Sequence, residues 1–254
     1  MNTDIDNERN TLVRLRNIYS TEPARTVPDR YSYDQTRNVE TFTSTLEENR
    51  IVSAVKPGDF TNSYKILRSQ ILQKMKANGW NTLGVTSPGH SEGKTLTATN
   101  LAISLALEVN HSVLLVDADM RTPGVAANFG IKTEYGLADY LTSDVPMEDL
   151  LIHPYRIDRF IMMPGGGPIP NSSEILSSQM MLDFIANVKL RYPSRIVVFD
   201  LPPILVAGES LNIAPHIDSI LLVIEAGKTK KEDIVRSKEL LAQSNLLGTV
   251  LSKS

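Results

Sequence analysis

From Phe60 onward, apolar and polar positions follow two rhythms in turn. Tyr64, Leu67, Ile71, Leu72 and Met75 recur at helical spacing, which predicts a helix closing near Asn78-Gly79. Four short runs rich in apolar and β-branched residues follow: Thr82–Val85, Val113–Val116, Ile196–Phe199 and Ile220–Ile224. Phe160–Met163 and Thr249–Leu251 read as two more. Helical stretches lie between most of them, at Thr95–Val109, Glu174–Lys189 and Lys231–Gln243. Strands alternating with helices need crossover connections. The pattern therefore predicts an α/β fold, a mainly parallel sheet with helices on both faces. Such sheets bind ligands beyond the carboxyl ends of their strands, so the residues just after each run are where chemistry is expected.

Residues 1–58 break this rhythm. They are polar, have no glycine before Gly58, and scatter their apolar residues among mixed charges. Such a stretch buries too little surface to offset its ordering entropy, so it reads as a largely flexible or partner-bound arm. Short helices are expected at most around Leu12–Tyr19 or Val39–Asn49. Pro57-Gly58 then marks a boundary, with one domain over residues 59–254.

Composition narrows the classes. The 254 residues have room for one such domain and a tail, and a net charge of −3 offers no bulk basic field for nucleic acid. The absence of cysteine excludes disulfides, thiolate metal sites and cysteine nucleophiles, and suits a reducing compartment. No apolar run approaches the roughly 20 residues that span a bilayer, and the acidic, polar start does not read as a signal peptide. A cytoplasmic protein is expected.

Three strand ends carry chemistry. After the first run comes a loop, Gly89, His90, Ser91, Glu92, Gly93, Lys94, Thr95, then Leu96 in the following helix. Gly-Lys-Thr between strand and helix is the core of a P-loop. Its backbone N–H groups wrap phosphate oxygens, Lys94 reaches the β- and γ-phosphates of ATP, and the Thr95 hydroxyl ligates Mg2+. Six residues before Lys94, where the common pattern has its first glycine, stands Pro88; the loop is of a deviant Walker A type. After the second run, Asp117 and Asp119 stand two residues apart, and Arg121 follows. Beside a P-loop, one carboxylate can prepare an attacking hydroxyl while the other supports the metal. Asp200, followed by Leu201-Pro202-Pro203, ends the third apolar run as a Walker B carboxylate would. Taken singly, each motif has a bland reading as a solvated loop. Three of them in order at strand ends do not.

At these residues the chain resembles the bacterial tyrosine kinases, the P-loop enzymes of capsule and exopolysaccharide synthesis. The resemblance rests on Gly93-Lys94-Thr95, on Asp117, Asp119 and Arg121 in an Asp-x-Asp-x-Arg pattern, and on Asp200-Leu201-Pro202-Pro203. Family-like stretches at Gly136–Leu141, Pro170–Leu176 and Gly248–Lys253 extend it over roughly residues 60 to 254. It implies that Lys94 and Thr95 hold ATP and Mg2+, that Asp117 prepares a tyrosine hydroxyl, and that Asp119 and Asp200 complete the metal's surroundings. Arg121 serves the same loop. The activity implied is ATP-dependent tyrosine (auto)phosphorylation that controls polysaccharide polymerisation and export. The rival reading is an ATPase switch that acts on a membrane co-polymerase through its nucleotide state. A partitioning or septum-site ATPase would carry its signature lysine where Gly89 stands.

Two family features are not matched. The sequence has no tyrosine cluster after Tyr192, which leaves Tyr31 and Tyr33 in the polar arm as the substitute acceptors expected from exposure. The ring-forming Glu-x-x-Arg-x-x-Arg motif aligns with Asn62–Arg68, where only Arg68 survives. An octameric ring is therefore not expected, although another homo-oligomer is compatible. A separate membrane-embedded co-polymerase is the implied activator, which would bring the protein to the inner face of the membrane. The basic run Lys228–Lys231 reads as a solvated helix start, and Gly165–Pro170 as a flexible turn near the site.

Overall fold

The computed structural model describes residues 36–253 except 56–57, 109–110, 144, 156, 171, 192–193 and 207. The Leu12–Tyr19 helix and Tyr19, Tyr31, Tyr33 and Tyr192 lie outside the described residues. In chain order, β1 (Arg37–Val39), α1 (Thr43–Glu48), α2 (Val52–Val55), α3 (Asp59–Asn78), β2 (Thr82–Thr86), α4 (Lys94–Ala106) and β3 (Ser112–Asp117) come first. The middle holds α5 (Val125–Asn128), α6 (Leu137–Thr142), α7 (Met147–Leu150), β4 (Ile152–Pro154), β5 (Phe160–Met163), α8 (Ser172–Leu176) and α9 (Gln179–Arg191). β6 (Arg195–Asp200), α10 (Glu209–Ile213), β7 (Ser219–Glu225), α11 (Lys231–Leu240) and β8 (Leu246–Ser252) complete the described chain.

The strands form one 8-stranded sheet in the order β1-β4-β5-β3-β6-β2-β7-β8. Pairing is parallel except between β4 and β5, which meet antiparallel at Ile152 and Met162. Successive strand side chains point to opposite faces, and both faces are apolar, which is why the strands read as continuous runs. On β3, Leu114 and Val116 join one core with Val197 and Phe199 of β6, while Val113 and Leu115 join the other with Ile196 and Val198. The first core is covered by α6 and α9 through Leu137, Leu141, Met181, Phe184 and Ile185. The second is covered by α3 and α4 through Ile71, Met75, Leu101 and Leu105. The predicted α/β architecture, with helices on both faces of a mainly parallel sheet, is the one observed.

Several local expectations are corrected. Residues 36–55 are ordered into β1, α1 and α2 rather than forming an arm up to residue 58. Leu46 and Ile51 are buried in the second core, and the Asn100 side chain bridges Arg50 O and Ser53 N at 3.0 Å each. The stretch hides from a periodicity search because Arg50 takes a left-handed φ of 58°, which breaks it into pieces of one or two turns. The helix expected over Val39–Asn49 is confined to α1, and Val39 is in a strand. The single helix expected at Glu174–Lys189 is two, α8 and α9. Ser178 Oγ accepts the Met181 N–H at 3.3 Å and so starts the second. The other two helices end earlier than expected, at Ala106 and Leu240. Among the described residues, no helix is long and apolar enough to cross a membrane.

Candidate nucleotide and phosphoryl-transfer site

Parallel pairing of β2, β6 and β3 brings their carboxyl ends together, with Asp117 directly opposite Asp200 in the ladder. The loop after β2 turns into α4 through Gly93, whose φ of 88° is one that side-chain-bearing residues rarely adopt. Lys94 is the first residue of that helix and bends back over the strand ends. Its Nζ lies 2.8 Å from Asp119 Oδ2, 3.4 Å from both Asp200 oxygens and 3.0 Å from Thr95 Oγ1. Thr95 Oγ1 in turn donates to Asp200 Oδ2 at 2.6 Å. Asp117, Asp119 and Asp200 are each at most 1% exposed.

The backbone fixes the carboxylates. Asp117 Oδ2 accepts the Gly124 and Val125 N–H groups at 2.9 Å each, and its Oδ1 accepts the Asp119 N–H at 3.2 Å. Asp119 accepts from the Thr122 N–H and hydroxyl. Burial, and then the charge of Asp200, push the Asp117 carboxyl up to about 8, against the hydrogen bond from Val125 and the charge of Lys94. Burial also raises Asp200, although Lys94 and Thr95 oppose the rise. Burial alone would lower Lys94, but the charges of Asp200 and Asp119 outweigh it and hold the ammonium above its usual range. Acids crowded together at low dielectric need a cation, and Lys94 supplies one.

The sequence-predicted residues Lys94, Thr95, Asp117, Asp119 and Asp200 thus converge. Gly89, His90, Ser91 and Glu92 form the loop before them, but not all face a ligand. Glu92 is buried and turns into the protein: its Oε2 accepts the Gly89 N–H at 2.6 Å and its Oε1 the Thr229 hydroxyl at 2.5 Å. Lys228 Nζ donates to the carbonyls of His90 and Ser91 at 3.3 and 3.0 Å and pairs with Glu225 at 2.9 Å. Lys228 and Thr229 therefore grip the phosphate loop from outside, which corrects their reading as a solvated helix start. The sequence hid this because 137 residues separate Thr229 from Glu92. His90 offers its carbonyl, and its ring is exposed. Leu96 packs on the second core, so only its backbone is available to a phosphate.

Arg121 does not reach the carboxylate cluster. Its Nη2 donates to Glu209 Oε1 at 2.7 Å, and the Ser172 hydroxyl shares that oxygen at 3.0 Å. Glu209 is 1% exposed, and among the described residues its second oxygen has no hydrogen-bond partner. Glu209 had no motif to betray it. Gly165 and Gly166 do lie beside the site, but their turn is laced rather than loose: Pro164 O, Gly165 O and Gly167 N bond to Leu137 N, Ala138 N and Glu134 O at 2.7, 3.2 and 3.1 Å.

Two carboxylates and a hydroxyl, with the Lys94 ammonium beside them, make a hard-oxygen set that fits Mg2+ but does not enclose it. Among the described residues no group of three or more His, Cys, Asp or Glu is disposed to hold an ion alone. That suits a cation that keeps waters and takes substrate phosphates as ligands.

No family-wide sequence profile matches this chain. It is 31% identical over 209 residues to the tyrosine-protein kinase YwqD of Bacillus subtilis, covering 81% of this chain and 86% of that protein. It is 29% identical over 211 residues to the tyrosine-protein kinase CpsD of Streptococcus agalactiae, covering 82% and 88%. The kinase domain of the Escherichia coli tyrosine kinase ETK superposes with a TM-score of 0.70 at 25% identity, covering 76% of this chain and 74% of that one.

Proposed function

Because this chain belongs to the bacterial tyrosine-protein kinase family, we propose that its buried carboxylate–lysine cluster transfers the γ-phosphoryl group of ATP to a tyrosine hydroxyl. The observation that carries this reading is the convergence of Lys94, Thr95, Asp117, Asp119 and Asp200 at three adjacent strand ends. The N–H groups of the loop from His90 to Leu96 would cradle the phosphates, and Lys94 would exchange its carboxylate partners for the β- and γ-phosphate oxygens. Thr95 and Asp200, with Asp119 beside them, would hold Mg2+, which when bound neutralises charge on the β- and γ-phosphates. Asp117 would take the phenolic proton. Phosphoryl transfer asks little more of a protein than such positioning.

By the same resemblance, the pathway served is capsule or exopolysaccharide assembly, and the activator a separate membrane-embedded co-polymerase that brings the chain to the membrane's inner face. Oligomerisation through the usual ring is not supported. Arg68, the one surviving residue of the ring motif, is engaged within the chain by Ser104 O at 2.8 Å and Glu108 at 3.2 Å.

The test is incubation with Mg2+ and γ-labelled ATP beside Asp117→Asn and Lys94→Ala. Label on tyrosine in the parent chain, reduced at least a hundredfold in both variants, is the expected result. Labelled free phosphate without labelled tyrosine, including on an added tyrosine-containing polypeptide, would leave an ATPase switch instead.

A further inference from the structure

Resting on the kinase reading, we propose that Tyr135 is a phosphoryl acceptor of this chain's own active site. The described tyrosines sort by place and burial. Tyr64 is mostly buried, with its hydroxyl bonded to Thr97, and Tyr140 packs against Phe184 at 5.3 Å. Tyr135 and Tyr155 are exposed, at 63% and 52%. Tyr155 follows β4, which runs antiparallel to β5, so it stands at the sheet end away from the carboxylates. Tyr135 stands at the catalytic end.

Its position there is fixed through the backbone. Gly136, the next residue, sits so close to the turn after β5 that a Cβ on it would lie 2.2 Å from Pro164 O and 2.3 Å from Gly166 N. Gly165, one residue away in that turn, lies in turn against Asp117: a Cβ there would be 3.4 Å from the Asp117 carboxyl carbon. Two residue layers separate the Tyr135 backbone from the proposed base. Hydrogen bonds from Leu137 and Ala138 to the carbonyls of Pro164 and Gly165, and from Gly167 N–H to Glu134 O, hold this rim in place. The ring itself is exposed, whereas the backbone would have to shed those bonds to extend into another molecule's cleft. Transfer within one molecule follows from that contrast.

In the step, Tyr135 Oη bonds to the γ-phosphorus as the bond from that phosphorus to the β–γ bridging oxygen breaks. ADP departs, and the phenolic proton passes to Asp117. The product places a group of charge about −1.5 to −2 at the mouth of the site.

The experiment is a time course of the full chain with Mg2+ and ATP, with phosphate at each tyrosine quantified by mass spectrometry. It is run over a hundredfold range of protein concentration, beside Tyr135→Phe and Lys94→Ala. Phosphate on Tyr135, at an initial rate per molecule unchanged by dilution and absent in Lys94→Ala, is expected; Tyr135→Phe should lose that share of the label. Phosphate on other tyrosines with Tyr135 unmodified overturns this proposal and leaves the kinase reading standing. A rate per molecule that falls in proportion to dilution overturns transfer within one molecule. No phosphotyrosine at all, with an added tyrosine-containing polypeptide also unmodified, overturns both.

Discussion

Asp117, the proposed base, shows how a candidate functional residue opposes the fold that carries it. Its three backbone donors favour the ionised form, yet burial and Asp200 win and hold its carboxyl at about 8. An Asp in the unfolded chain titrates near 3.8. Between those values the folded state binds the extra proton, so what Asp117 contributes to stability is fully present below about 4 and drains as pH rises through about 8. Asp117→Asn removes that drain. In nucleotide- and metal-free protein, its melting temperature should match the parent near pH 4 and exceed it by several degrees at pH 8, while turnover is lost. A chain of this size moves about 2–4 °C per kcal/mol, so the gap is readily measured. A constant offset between the two melting curves at every pH would refute the assignment. The convergence of these carboxylates was legible in the sequence, because Asp-x-Asp and Asp-x-Pro-Pro sit at strand ends. Glu209, which holds Arg121, was invisible for want of a motif or neighbour in sequence.

At the scale of elements, the phosphate loop takes its shape partly from a distant connection. Gly93 and the start of α4 are legible as a P-loop, but what immobilises its outer side is the turn between β7 and α11. Thr229 accepts the Glu225 N–H at 2.8 Å and donates to Glu92, which in turn holds the Gly89 N–H. A hydrogen bond to a buried carboxylate is worth about 1.5–3 kcal/mol, more than a neutral one, and its loss frees the loop before ATP arrives. Thr229→Val should therefore weaken Mg-ATP binding by roughly tenfold in calorimetry, and Thr229→Ser should restore it. Equal affinity in all three proteins would mean that the loop is shaped without this link. The same scale explains what the hydrophobic pattern missed. Strands buried on both faces and the long amphipathic α3 announce themselves, whereas α1, α2, α5 and α7 are too short for a period to develop. Each is placed by one or two buried residues, such as Leu46, Ile51, Val125 and Leu150.

Across the whole molecule, the strand order decides which acids meet. Placing β6 between β2 and β3 brings together residues from positions 94, 117, 119 and 200, and no local rule predicts that adjacency; only the crossover logic of a parallel sheet does. The consequence is an electrostatic one for folding as well as for ATP. Three buried carboxylates share Lys94 as the cation within 3.4 Å of two of them. Removing it from the nucleotide-free protein leaves like charges facing each other at low dielectric, a loss of about 3 kcal/mol when a buried pair is broken. Lys94→Ala should lower the urea midpoint at pH 7 accordingly. The deficit should shrink as pH falls, because Asp117 is already largely protonated at pH 7 and Asp200, also raised, takes up its proton on the way down and ends the repulsion. A Lys94→Ala midpoint equal to the parent's at pH 7 would show that the acids are already neutral without it, and Lys94 would then be a ligand for phosphate alone. At pH 8, where Asp117 is about half ionised, Asp117→Asn relieves the same crowding and should recover part of the stability lost in Lys94→Ala. That recovery separates a shared charge cluster from two independent sites.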